Sequence, residues 1–156
     1  MPKILFPDGR TQIFEKEING YVIAESISKS LLKKAVAISV NGKQKDLCDV
    51  ITEDAEINII TKDSDEGLEI MRHTLTAQVL AKAIKTMYPK AKLAVGPTIE
   101  NGFYYDVLFE KPISIDDFPA IEKEMNNIIK KGSQIEKSYK DKKQVKELFD
   151  SKKEIY

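Results

Sequence analysis

The spacing of hydrophobic and polar positions changes several times along the chain, and each change marks an element. Residues 3–6 form a short apolar run closed by Pro7, Asp8 and Gly9, and a second run follows at 11–15. An Asp-Gly step between two such runs predicts a hairpin, because glycine accepts the positive φ of a tight turn. Over residues 21–34 the spacing becomes helical: Val22, Ile23, Ile27 and Leu31 are apolar, and Ser26, Ser28, Lys29 and Ser30 are polar. Residues 36–40 are β-branched-rich and end at Asn41-Gly42, a second hairpin turn. Residues 56–61 carry Ile57, Ile59 and Ile60 as a final strand. Two strands, a helix and further strands in this order predict a β-grasp unit over residues 1–62. A unit of this size buries only ~60% of its unfolded surface.

Residues 61–66 are polar and read as a linker, with acidic side chains placed favourably at the start of a helix. The longest helical pattern is residues 67–88, with Leu68, Met71, Leu75, Val79 and Ile84 on one face and Pro89 as the stop. Two strands are expected over 92–99 and 103–109, joined by Glu100-Asn101-Gly102. Asp116 and Asp117 open another helix, with Ile121, Met125, Ile128 and Ile129 apolar and Gly132 as its end. Residues 135–139 are a short strand candidate, and Val145, Leu148 and Phe149 mark a last helix. The chain runs on through residues 152–156 without a stop signal. The expected class is therefore α+β, with a β-grasp unit over 1–62 and an incomplete α/β unit over 63–156.

Composition narrows the function. The 156 residues carry 25 basic and 25 acidic side chains, so no global basic field drives nucleic-acid binding. Charge is uneven, however: residues 121–156 hold ten basic and seven acidic side chains. No apolar run is long enough to span a membrane, and no secretory leader is evident. With a single cysteine, Cys48, these features point to the cytoplasm. Cys48 has no basic neighbour in sequence and is expected as a buried structural thiol. No G-x-x-x-x-G-K loop is present, which removes phosphate-loop nucleotide hydrolysis.

Two stretches carry a resemblance. One is Gly67-Leu68-Glu69-Ile70-Met71-Arg72-His73 leading into the long helix. The other is Val95-Gly96-Pro97-Thr98-Ile99-Glu100-Asn101-Gly102-Phe103-Tyr104-Tyr105-Asp106. Following a β-grasp unit, this pair resembles bacterial threonyl-tRNA synthetases. Residues 1–62 look like their TGS domain and residues 63–156 like the start of their editing domain. The resemblance implies an ATP-dependent attachment of threonine to its tRNA, with hydrolysis of mischarged seryl-tRNA in this region. It implies tRNA as partner. It also implies ATP, magnesium and zinc sites, and a homodimer contact, only in a catalytic core that these residues do not include. No cofactor or metal site is expected in residues 1–156 themselves.

The family's editing helix carries His-x-x-x-His, whereas this chain has His73-Thr74-Leu75-Thr76-Ala77-Gln78 and no other histidine. Counting from His73, the second position is Ala77; counting back from Pro89, it is Gln78. Ala-Gln before Val79-Leu80-Ala81 matches the family's flank and favours Gln78. In a regular helix, residues 73 and 78 lie about 140° apart. They share a face only if a π-turn absorbs the extra residue or if His73 precedes the helix. The family also continues into a lysine and a Cys-x-x-x-His-type segment that are absent from these residues.

The resemblance assigns an ancestral editing pocket to His73, Gln78 and Tyr105. Histidine exchanges protons near neutral pH and could activate water or bond the tRNA terminal ribose. Equally, His73 could pack against Leu80 and Ile84. Gln78 donates and accepts hydrogen bonds but takes up no proton. Tyr104 and Tyr105 point to opposite sides of a strand, one inward and one outward. The lysines of residues 140–153 could meet phosphates or form the solvated face of an amphipathic helix. The isolated chain is expected neither to aminoacylate nor to edit. The alternatives are a non-catalytic tRNA- or protein-binding module and an editing factor acting in trans.

Overall fold

Lys3–Leu5 (β1) and Thr11–Ile13 (β2) pair antiparallel, with Leu5 opposite Thr11. The turn between them uses Gly9 at φ 82°, and its N–H donates to the Phe6 carbonyl at 2.9 Å. Ala35–Val40 (β4) and Lys43–Lys45 (β5) are joined by Asn41 at φ 50° and Gly42 at φ 74°. Two left-handed residues in a two-residue loop match the twist of the flanking strands. Ala55–Thr61 (β7) lies between β1 and β4, parallel to the first and antiparallel to the second. The sheet order is β2-β1-β7-β4-β5. This is the expected β-grasp arrangement, seen here in a computed structural model that describes residues 1–133 and 135–152. A further short ladder pairs Ile18–Asn19 (β3) with Val50–Ile51 (β6). Two-residue strands are too short to show a period in sequence.

The predicted helix over 21–34 is two helices, Gly20–Ile27 (α1) and Lys29–Lys34 (α2). Ser28 is extended between them. Its N–H closes α1 on the Ala24 carbonyl, and its hydroxyl accepts from the Leu31 N–H at 3.0 Å to open α2. The core joins Ile4, Phe6, Ile18, Ile23, Ile38, Val40, Leu47, Ile51, Ala55 and Ile57. Cys48 corrects the sequence expectation: it is exposed, and its neighbour Leu47 is buried. In the turn 46–49, the Asp49 N–H bonds the Asp46 carbonyl. Leu47 turns inward and packs against Gly20.

The chain divides into two units, residues 1–71 and 72–156. The division falls within a helical stretch made of Asp65–Thr74 (α3), a π-helix at Leu75–Leu80, and Ala81–Met87 (α4). The uniform apolar face expected from Leu68 to Ile84 is not observed. Leu68 and Met71 are exposed, while Thr76, Ala81, Ala83 and Ile84 are buried. The wider π-turn rotates the face, so a pattern read at one period misplaces it.

The second unit then contributes Lys92–Leu93 (β8), Thr98–Ile99 (β9), Gly102–Phe103 (β10) and Val107–Leu108 (β11), paired as β9 with β10 and β8 with β11. The two expected strands are thus broken into four. Gly102 pairs with Ile99, so the turn residues are Glu100 and Asn101, one position earlier than the Asn-Gly signal suggested. Phe103 lines an apolar groove, and a one-residue slip would turn it away. Ser114 caps a 3₁₀ turn at Ile115–Asp117, and Phe118–Lys131 (α5) ends on Gly132 at φ 58°. Ile84, Ala91 and Ile121 form the buried core, with Tyr88 and Phe109 edge-to-face at 5.2 Å beside it. Residues 135–139 form no strand: no described strand pairs with them, and Ile135 and Tyr139 are exposed. Lys142–Ser151 (α6) is the last helix, capped by Asp141 and Gln144. The end expected to run on at residues 153–156 lies outside the described residues.

Candidate functional site

The site is built on the helical stretch that begins the second unit. Across residues 72–87 the exposed positions are His73, Gln78, Lys82 and Thr86. Their spacing is five, then four, then four. The five-residue step crosses the π-helix at Leu75–Leu80, where the Ala81 N–H reaches back five residues to the Thr76 carbonyl. An i→i+5 turn returns a side chain to the same face after five residues rather than four. His73 and Gln78 therefore share one solvent-facing stripe, and Ala77 is set off it, half-buried. His73 is exposed and does not pack into the core beside Leu80 and Ile84.

The opposite side of this helix is held by contacts that sequence reasoning missed. Thr76 is fully buried and donates its hydroxyl to the Arg72 carbonyl at 2.8 Å. The Arg72 guanidinium donates to the Glu100 carbonyl at 2.7 Å, tying the β9–β10 turn to the helix one residue before His73. Gly96 lies where a Cβ would overlap the Tyr105 ring and stand 2.9 Å from the Thr76 methyl. Tyr105 is half-buried at this packed point and Tyr104 is 53% exposed, although both lie between β10 and β11 rather than in the strand the sequence predicted. His73 and Gln78 thus lie on the solvent stripe, and Tyr105 packs with Gly96 near Thr76, which is buried. The available signals were a helix one residue too long and a threonine at a core position.

Beside Tyr105, an apolar groove of about 570 Å³ is lined by Leu80, Ile84, Phe103, Phe118, Ile121 and Met125 among others, with Glu122 as its one charged lining residue. On α6, Lys142, Lys143 and Lys146 are all exposed. Among the described residues, Asp46, Cys48 and Asp49 place possible ligand atoms within 4.8 Å of one another. The Asp49 carboxylate already accepts the Asp46 N–H at 3.1 Å, so it serves the turn itself.

Charge pairing moves titration at three exposed ion pairs. Lys34 and Asp63 meet at 2.8 Å; the pairing holds the Asp63 carboxyl below the ordinary aspartate range and raises the Lys34 ammonium. Arg10 lowers Asp8 in the same way through a 2.6 Å bond, and Glu110 raises Lys90.

A family model described as the TGS domain matches residues 2–61. Over 151 residues, 97% of its length, the chain is 42% identical to threonine--tRNA ligase from Bartonella bacilliformis, and equally to those of Bartonella quintana and Brucella canis. It spans 23% of the length of these relatives. Residues 2–61 match the TGS domain, and the chain over nearly its whole length is similar to part of the bacterial threonine--tRNA ligases.

Proposed function

We propose that this chain is the tRNA-facing N-terminal region of a threonine-attaching ligase, and that its second unit belongs to the part that hydrolyses seryl-tRNA mischarged in place of threonyl-tRNA. The observation that carries this is the shared stripe of His73 and Gln78 within a chain 42% identical to threonine--tRNA ligases. The aminoacylation chemistry, with its ATP, magnesium and zinc, and the dimer contact are assigned to regions outside these 156 residues.

The residues also set the expected level of activity. An exposed imidazole can pass a proton, but Gln78 can only orient a water or a hydroxyl through hydrogen bonds. Each missing positioned group typically costs ~10²-fold or more in rate. The isolated chain is accordingly expected to show no aminoacylation and little or no deacylation. Incubating purified chain with seryl-tRNA for threonine tests this directly. Rapid hydrolysis dependent on His73 would instead establish an editing factor acting in trans.

A non-catalytic binding role is supported separately by the exposed lysines of α6. It calls for tRNA binding that weakens with salt and is lost when Lys142, Lys143 and Lys146 become alanine. Absence of binding at low salt would remove this role.

A further inference from the structure

We propose that Thr76 is a positioning residue whose hydroxyl holds the π-turn, and through it the pairing of His73 with Gln78. This rests on the editing-type role proposed above for that stripe. Thr76 is the one buried polar side chain among the described residues, and it lies within the π-helix. A buried hydroxyl needs a partner, and the one it has is the Arg72 carbonyl at 2.8 Å. This bond runs from inside the π-helix back to the last turn of α3, across the junction where the ladder changes from i→i+4 to i→i+5. The same residue is fixed from outside. Its methyl sits at the spot that glycine leaves open at position 96, beside the Tyr105 ring. Arg72, whose carbonyl it holds, is anchored by its guanidinium to the β9–β10 turn at Glu100. The helix, the 95–97 loop and the hairpin therefore converge on one hydroxyl behind the solvent stripe. Loss of that hydroxyl frees the turn to relax toward α-helical spacing, which swings Gln78 off the His73 face.

His73 is the only histidine, so its ring protons give a unique NMR signal in the full 156-residue chain. Contacts between that ring and the Gln78 side chain by nuclear Overhauser effect are the readout. Thr76→Val keeps the shape and removes the hydroxyl; Thr76→Ser keeps the hydroxyl and removes the methyl. The expected result is that the contacts persist in the Ser variant and vanish in the Val variant, with the Ile84 and Ile121 methyl signals unchanged in both. Persistence in the Val variant overturns the proposal. Loss in both variants overturns it too, because packing of the methyl would then hold the turn. If Thr76→Val unfolds, Arg72→Lys provides the second measurement, since it frees the hairpin anchor while leaving the Thr76 bond: retained contacts support the hydroxyl, and lost contacts overturn its sufficiency. A non-hydrolysable seryl-adenosine amide, titrated against the same signals, reads the editing role independently. It should bind wild type and weaken about tenfold in Thr76→Val. Failure to bind wild type refutes the editing role while leaving the contact result standing.

Discussion

His73 and Gln78 stand five residues apart on a helix and fall on the same exposed stripe, because one turn between them is a π-turn. Deleting Ala77 removes the extra residue. The helix should then run at regular α spacing, with the histidine and glutamine four residues apart and the downstream stripe kept. Amide exchange and Cα chemical shifts across 72–87 would show the change, and the thermal midpoint should not fall. A collapse of the second unit would mean that the π-turn is needed for packing.

Glycines near the site should differ sharply in tolerance. Gly96→Ala drives a methyl into the Tyr105 ring and toward Thr76, and should cost about 1–3 kcal/mol in stability by chemical denaturation. Gly102→Ala meets nothing within 4 Å and lies in a strand at ordinary φ, so its effect should stay within about 0.5 kcal/mol. Equal effects would show that Gly96 is not a close-approach position.

Ser28→Ala removes the hydroxyl that opens α2, while the extended backbone still separates the helices. The expected loss is about 1 kcal/mol, measured by urea unfolding monitored in the first unit. Ser28→Asp should restore most of it, because a carboxylate accepts the same N–H.

Acid should weaken the first unit through Asp8 and Asp63. Both carboxyls are held below the ordinary aspartate value, chiefly by hydrogen bonds from Arg10 and Lys34. Their contribution is therefore fully present above that value and is lost as pH falls through the lowered one. Both pairs are exposed, so the effect should be small and should shrink with added salt. Asp63→Asn should flatten the acid limb of a stability-versus-pH curve; an unchanged limb would show that the pair contributes nothing.

The two units should differ in protection. The first has ten residues in its buried core cluster and the second has three. Leu108, Ile115, Phe118 and Ile129 are also about half exposed or more. Slower hydrogen exchange in residues 1–62 than in 72–133, together with binding of a hydrophobic dye, is the expected outcome. Uniformly slow exchange would show the second unit to be equally secure.

Much of the fold could be read from local chemistry. Asp8-Gly9 and Asn41-Gly42 marked their hairpins, and Pro89 and Gly132 marked helix ends. These signals act within a few residues, through steric limits on φ and through a missing N–H.

The sequence by itself therefore determined the α+β class, the β-grasp order, the helix ends and the identity of the residues that could do chemistry. Tertiary structure decided which way those residues face. It left Gln78 exposed and Ala77 half-buried across a π-turn, gave the inward place to Leu47 rather than Cys48, and set the third hairpin turn at Glu100-Asn101. Each of these choices divides a few side chains between water and a packed interior. That division depends on what the distant chain brings against them, such as the Tyr105 ring at Gly96 or the Arg72 guanidinium at Glu100.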